Sequence, residues 1–192
     1  IFIHGFLASG DTWSNAIQHF QQGGYCSDHL HVLDWNSIGG GGRRTDSLLD
    51  VLIDRVLAKT GAAQVDLVGH SAGGGIGRSY LKDSLRARKV AHYVHIGSRK
   101  WDGQYPWFTN DRCLIISSSG DKIAGAAGGP VSGAMNLSLT EEDHYQVATG
   151  TASLNAMLQF FTGRSIPVIA NEQNATVALS GRAVTLGDNL PM

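Results

Sequence analysis

Ser71 lies within Gly69-His70-Ser71-Ala72-Gly73, directly behind the apolar run Val65-Asp66-Leu67-Val68. A buried strand that runs through Gly-x-Ser-x-Gly into a helix is a nucleophile elbow. The turn is tight enough that side chains at 69 and 73 would strike neighbouring backbone, so glycine is required there. Such a turn lifts the hydroxyl out of the sheet and sets it beside the positive end of the following helix. A serine hydroxyl at pH 7 is a poor nucleophile. It needs a base within hydrogen-bond reach, an acid to orient that base, and two N–H groups aimed at the oxyanion formed at the attacked carbonyl.

The chain supplies candidates in the order Ser, Asp, His that this elbow uses. Asp121 follows Ile115-Ile116-Ser117-Ser118-Ser119-Gly120, just past a strand end, where a carboxylate can reach over the sheet's C-terminal edge. Its other reading is a plain Gly-Asp turn. Asp102, in the loop after the preceding strand, competes for the same role. The base candidate is His144, about 23 residues beyond Asp121 in Glu141-Glu142-Asp143-His144-Tyr145; of the eight histidines it alone occupies that slot. His29, His31, His92 and His95 sit in or beside strands, His19 on a helix face, and His70 within the elbow. No pair among them has metal-ligand spacing, so neither metal nor cofactor is expected. For the oxyanion hole, His4-Gly5-Phe6 offers the N–H of Phe6 and the elbow offers the N–H of Ala72. Losing one such donor typically costs about 3 kcal/mol of transition-state stabilisation.

These residues need a scaffold, and the pattern provides one. Short apolar runs at 1–4, 29–34, 64–68, 90–96, 112–117 and 135–139 alternate with helical periodicity near 11–22, 46–59, 72–86 and 149–162. That alternation predicts an α/β fold, a mostly parallel six-stranded sheet with helices on both faces. In the second helix Leu48, Leu49, Leu52, Ile53, Val56 and Leu57 recur at helical spacing, with Thr45 or Asp46 as cap and Gly61 past the end. At 192 residues, 42% hydrophobic and 16% charged, the chain suits one globular domain with a sizeable core. A net charge of −1 without long basic blocks argues against nucleic acid as partner. No apolar stretch reaches the roughly 20 residues of a membrane span. Ile1-Phe2-Ile3 reads as mid-strand without an initiator Met, as if the chain began inside a longer one.

Taken together, Ile1-Phe2-Ile3-His4-Gly5-Phe6, the elbow with its strand, Ser119-Gly120-Asp121 and Asp143-His144-Tyr145 resemble the α/β-hydrolase superfamily. The likeness is nearer to small bacterial and archaeal lipases with a minimal six-stranded core, and it covers roughly residues 1–164. It implies a serine lipase or esterase acting through a Ser71-His144-Asp121 triad and an acyl-enzyme on lipid or other acyl esters, with a lipid–water interface as a place of action. Some relatives put the acid at the preceding strand's end, where this chain has Gly97. Polyester, thioester or amide substrates, acyl transfer to an alcohol, and a non-catalytic binding module remain alternatives. The resemblance to lipases favours an extracytoplasmic location. It also implies that residues 165–192 form a linker and the start of a C-terminal β-module, because 176–186 alternate apolar and polar; a loose tail is the other reading. The family's strand order sets Cys26 and Cys113 four strands apart, roughly 19 Å at about 4.8 Å per strand, so both are expected to be free, buried thiols. Trp101, Tyr105, Trp107 and Phe108 either line an acyl groove and apolar rim or pack their loop onto the core.

Overall fold

The computed structural model describes residues 1–39, 43–101, 105–124, 128–164, 185 and 187–191. The described chain runs β1 (Phe2–Ile3), α1 (Ser14–Gln22), β2 (Val32–Leu33), α2 (Arg43–Thr60), β3 (Val65–His70), α3 (Ala72–Leu81), α4 (Ser84–Ala87) and β4 (Val90–Ile96). It continues through β5 (Cys113–Ser118), β6 (Met135–Leu139), α5 (Gln146–Thr149) and α6 (Thr151–Thr162). The strands form one six-stranded sheet in the order β2-β1-β3-β4-β5-β6, and every pairing is parallel.

Strand residues alternate between two apolar layers, as the two-residue period of a pleated strand requires when both faces are covered. Ile3, Leu67, Tyr93 and Ile115 face the layer that holds Leu49 and Ile53 of α2 and Ile76 and Tyr80 of α3. Phe2, Val68, Val94 and Ile116 face the opposite layer, with Ala16 and Phe20 of α1 and Leu154 and Met157 of α6. The order reverses between β1 and β3, because β1 leads outward to β2 and the chain then returns to β3 on its other side. In open α/β sheets, ligands bind in the crevice outside such a switch point. Here the loop after β1 and the turn after β3 open into it.

Element boundaries differ from the sequence expectation for local reasons. Ser27–His29 form a 3-10 turn, which leaves β2 only two residues long. The predicted helix over 72–86 is two helices, because the Asp83 carboxylate accepts the Leu85 and Arg86 N–H groups and caps a new start. α2 begins at Arg43, which makes Asp46 a first-turn residue and not a cap; its carboxylate accepts the Ser79 hydroxyl. Cys26 is exposed rather than buried, since it precedes the 3-10 turn outside the sheet, whereas Cys113 lies buried in β5. Both are free, and burial pushes the Cys113 thiol up to about 12. Most of 165–192 lies outside the described residues. Thr185 and 187–191 form a turn seated on the loops that follow β1 and β2.

Candidate active site

β3 delivers Ser71 to the sheet's C-terminal edge with φ +54°, a left-handed conformation rare for residues other than glycine. Close packing holds it there. A Cβ on Gly69 would lie 2.6 Å from the Gly73 carbonyl oxygen, and one on Gly73 would lie 2.4 Å from that of Ile3. Only glycine lets α3 start this close to β1 and β3. The Ser71 N–H donates to Ile96 O at 3.0 Å, and its carbonyl accepts from Ser98 Oγ at 2.8 Å. Ser98 entered the sequence reading only as part of a loop, since a hydroxyl bracing a carbonyl leaves no spacing signature.

The short segment between β6 and α5 brings His144 over the elbow. His144 Nε2 lies 2.9 Å from Ser71 Oγ, and its Nδ1 lies 2.8 Å from Asp121 Oδ2. A carboxylate can only accept, so Nδ1 carries the proton and Nε2 presents a lone pair to the serine hydroxyl. Asp121 follows β5 and is buried; its other oxygen accepts the Ile123 and Ala124 N–H groups at 2.8 and 2.9 Å. Burial opposes its charge, but the hydrogen bonds from His144 and the two backbone donors outweigh that and hold the pKa below the ordinary carboxylate value. Asp102, the competing acid, lies outside the described residues.

His70, read from sequence only as the variable elbow residue, takes part in this assembly. Its Nε2–H donates to the His144 carbonyl at 2.8 Å, and the two rings are 4.7 Å apart. Burial, and next the neighbouring His144, push its pKa down to about 4. The ring is therefore neutral at pH 7 and acts as a fixed strut beneath the loop that bears His144. The remaining strand histidines serve elsewhere: His92 pairs with Asp66, and His95 bonds Tyr93 and the Arg99 carbonyl.

Gly5 brings the loop after β1 against the elbow; a Cβ there would lie 3.0 Å from Ser71 Cβ. Phe6 follows it beside Ser71. Ala72 is the first residue of α3, and helix geometry leaves such N–H groups without an intrahelical acceptor. His4 braces this loop, with its Nδ1–H donating to Gly5 O at 2.8 Å. A cleft of about 460 Å3 lies over Ser71, bounded by Phe6, Thr12, Ile123, His144 and Tyr145. On the other side of the serine a groove of about 430 Å3 runs past Ala72, Gly75, Ser98 and Ile123. A further cavity of about 260 Å3, near Ile1 and Phe161, lies at the opposite end of the strands and contains no Ser71-like constellation.

Of the four aromatic residues after β4, Trp101 and Phe108 follow the packing reading, whereas Trp107 stays exposed. Trp101 and Phe108 are buried in the core, Trp101 Nε1 donates to Asn110 Oδ1, and Trp107 Nε1 donates to Leu81 O. The apolar rim of the cleft is made instead by exposed Phe6, Ile123 and Tyr145, from the loops after β1, β5 and β6. Among the described residues no group of His, Cys, Asp or Glu is arranged to hold a metal ion, and no helix is long and apolar enough to cross a membrane.

The fold has known counterparts. Residues 1–113 match the alpha/beta hydrolase fold family, and the chain belongs to it. Among solved structures, a CIB-like hydrolase from Thermoplasma acidophilum is similar at 15% identity and a TM-score of 0.62, over 85% of each chain. A bromoperoxidase from Bacillus anthracis is similar at 15% identity and a TM-score of 0.62, over 83% of this chain and 90% of its own. A serine hydrolase without a lid from Xanthomonas campestris is similar at 14% identity and a TM-score of 0.57, over 88% of this chain and 83% of its own. At this identity the structures speak to the fold alone.

Proposed function

We propose that this protein is a serine carboxyl-ester hydrolase of the esterase or lipase type. The observation that carries the reading is the unbroken line from Ser71 Oγ through His144 to Asp121, at 2.9 and 2.8 Å. In this reading His144 Nε2 takes the Ser71 proton as the oxygen attacks an ester carbonyl, and Asp121 stabilises the imidazolium that results. The N–H groups of Phe6 and Ala72 bind the oxyanion. His144 then returns the proton to the departing alcohol, leaving Ser71 acylated. A water molecule activated by the same histidine releases the acid and restores the serine.

The rim of Phe6, Ile123 and Tyr145 favours esters with an apolar acyl chain, because burying each CH2 is worth about 0.8 kcal/mol. The test is hydrolysis of nitrophenyl esters from acetate to long-chain acyl groups, by the intact chain and by Ser71→Ala. We expect kcat/KM to rise from acetate through the medium-chain esters and activity to vanish in the variant. Hydrolysis that survives Ser71→Ala would reject the assignment.

A further inference from the structure

The loop that carries Phe6 is held from outside by a segment more than 180 residues away in sequence. Asn189 is buried, and its side-chain amide nitrogen lies 3.0 Å from Ala8 O, 2.9 Å from Trp35 O and 3.2 Å from His4 Nε2. Both carbonyls can only accept. His4 already donates its Nδ1–H to Gly5 O, so Nε2 is a lone pair as well. The two amide hydrogens serve the Ala8 and Trp35 carbonyls, which fixes the orientation of the group, while the His4 Nε2 lone pair also accepts the Trp35 N–H at 3.2 Å. A second set of contacts holds the other end of the loop. Leu7 has φ +54°, unusual for a side chain of its kind, and its N–H donates to Ser37 Oγ at 3.0 Å. That hydroxyl donates to Gly187 O at 2.9 Å, and the Ser37 N–H donates to the same oxygen at 2.8 Å. Phe6 thus lies between two anchors, at His4 and at Leu7, and both lead to residues 187–189.

The segment is shaped for this position. Gly187 has φ +88°, and a Cβ there would meet Ile38 at 2.5 Å and Leu7 at 3.1 Å. Asn189 has φ +57°, a conformation asparagine tolerates better than most residues. Its N–H closes a turn onto Thr185 O at 3.1 Å, and Thr185 N–H donates to Leu190 O at 2.9 Å. The turn is internally bonded and offers one buried amide and one carbonyl to the loop.

We propose that Gly187–Leu190 is a clasp on the oxyanion loop and that Asn189 is a positioning residue for the N–H of Phe6. The inference rests on the ester-hydrolase reading for its catalytic half. Backbone strain at Leu7 persists only where surrounding contacts over-determine it, and the clasp supplies those contacts. Without it the loop relaxes and the Phe6 donor leaves its position.

The test compares Asn189→Gly, which keeps the left-handed backbone and removes the amide, with Asn189→Asp, which replaces donors with a charge facing two carbonyls. Rates are measured on nitrophenyl butyrate per active site titrated with a fluorophosphonate, so that loss of folded protein does not count as loss of turnover. Amide hydrogen exchange is followed at Leu7 and Trp35, with β3 and β4 as internal controls. We expect kcat to fall roughly tenfold to a hundredfold in both variants, the size of a donor misplaced by about 1 Å. KM should stay within about twofold, as befits an interaction formed with the transition state. Leu7 and Trp35 should lose protection while the control strands keep theirs. An unchanged kcat per titrated site, or unchanged protection at Leu7, overturns the proposal. If the intact chain hydrolyses no ester, the hydrolase reading fails and the catalytic half with it. The exchange measurement then still decides whether Asn189 holds the loop.

Discussion

The neutral, buried His70 should make this protein sensitive to mild acid, through a group that carries no proton in the proposed reaction. Its Nε2–H is committed to the His144 carbonyl, and its enclosed Nδ1 has no hydrogen-bond partner among the described residues. Protonation would place an unsolvated N–H in the interior and a cation 4.7 Å from the His144 ring. The native pKa is pushed down to about 4, against 6.5 in an unfolded chain. The unfolded state therefore binds the proton first, and stability that is full above pH 6.5 falls as the pH drops towards 4. At about 1.4 kcal/mol per pH unit, the loss reaches roughly 2.5 kcal/mol by pH 4.5. That is a sizeable part of the 5–15 kcal/mol typical of a folded domain. Burial depresses His4 in the same direction, so the comparison must isolate His70. His70→Gln retains an N–H donor and cannot titrate. Urea unfolding of both proteins between pH 7.5 and 4.5 measures the difference. The lower limit lies above the titration of Asp121, whose stabilising charge is lost only as the pH falls through a value below 3.8. Wild type should lose roughly 2–3 kcal/mol more than the variant across this range. PH profiles that run parallel would refute the argument.

Two further outcomes follow from the site. Asp121→Asn should leave the fold intact and lower kcat by roughly 10³–10⁴-fold, because an amide no longer selects the Nδ1–H tautomer of His144. Steady-state kinetics beside Asp102→Asn decide the matter, and a large loss confined to Asp102 would transfer the role of the acid. Gly73→Ala puts a methyl 2.4 Å from Ile3 O and 2.6 Å from His4 O, backbone atoms that cannot turn aside. It should destabilise the protein by at least the roughly 1–3 kcal/mol usual for overpacking, read as a lower urea midpoint. An unchanged midpoint would mean that the elbow is less tightly packed than described.

The sequence reveals most where a residue type answers a local backbone demand. Gly69 and Gly73 mark a turn that no other residue can make, and the apolar runs of β3, β4 and β5 are long enough to read as strands. Chain order singles out Asp121 and His144 as candidates, and the fold brings the loops after β5 and β6 together so that the two side chains lie 2.8 Å apart. What stayed hidden depends on contacts between distant segments. The bond from His70 to a carbonyl has no sequence pattern, and Asn189 meets His4 across 185 positions of sequence. For Trp101 and Phe108 the sequence leaves two readings open. Composition alone fits a lipid-facing rim and a packed loop equally, and burial decides for Trp101 and Phe108, which lie in the core. Phe6 stands out in the sequence only for its N–H, and the side chains of Phe6 and Ile123 gain a role at the rim only where their loops converge on the cleft.

The central claim, that His144 activates Ser71 to accept an acyl group, is tested most directly by acid quenching during turnover of a slowly deacylating nitrophenyl ester. Peptide mass mapping of the quenched protein should find one acyl group, on Ser71, appearing with a burst of nitrophenol. In His144→Ala both the adduct and the burst should disappear. An acyl group on another residue, or a burst that persists without His144, would contradict the account.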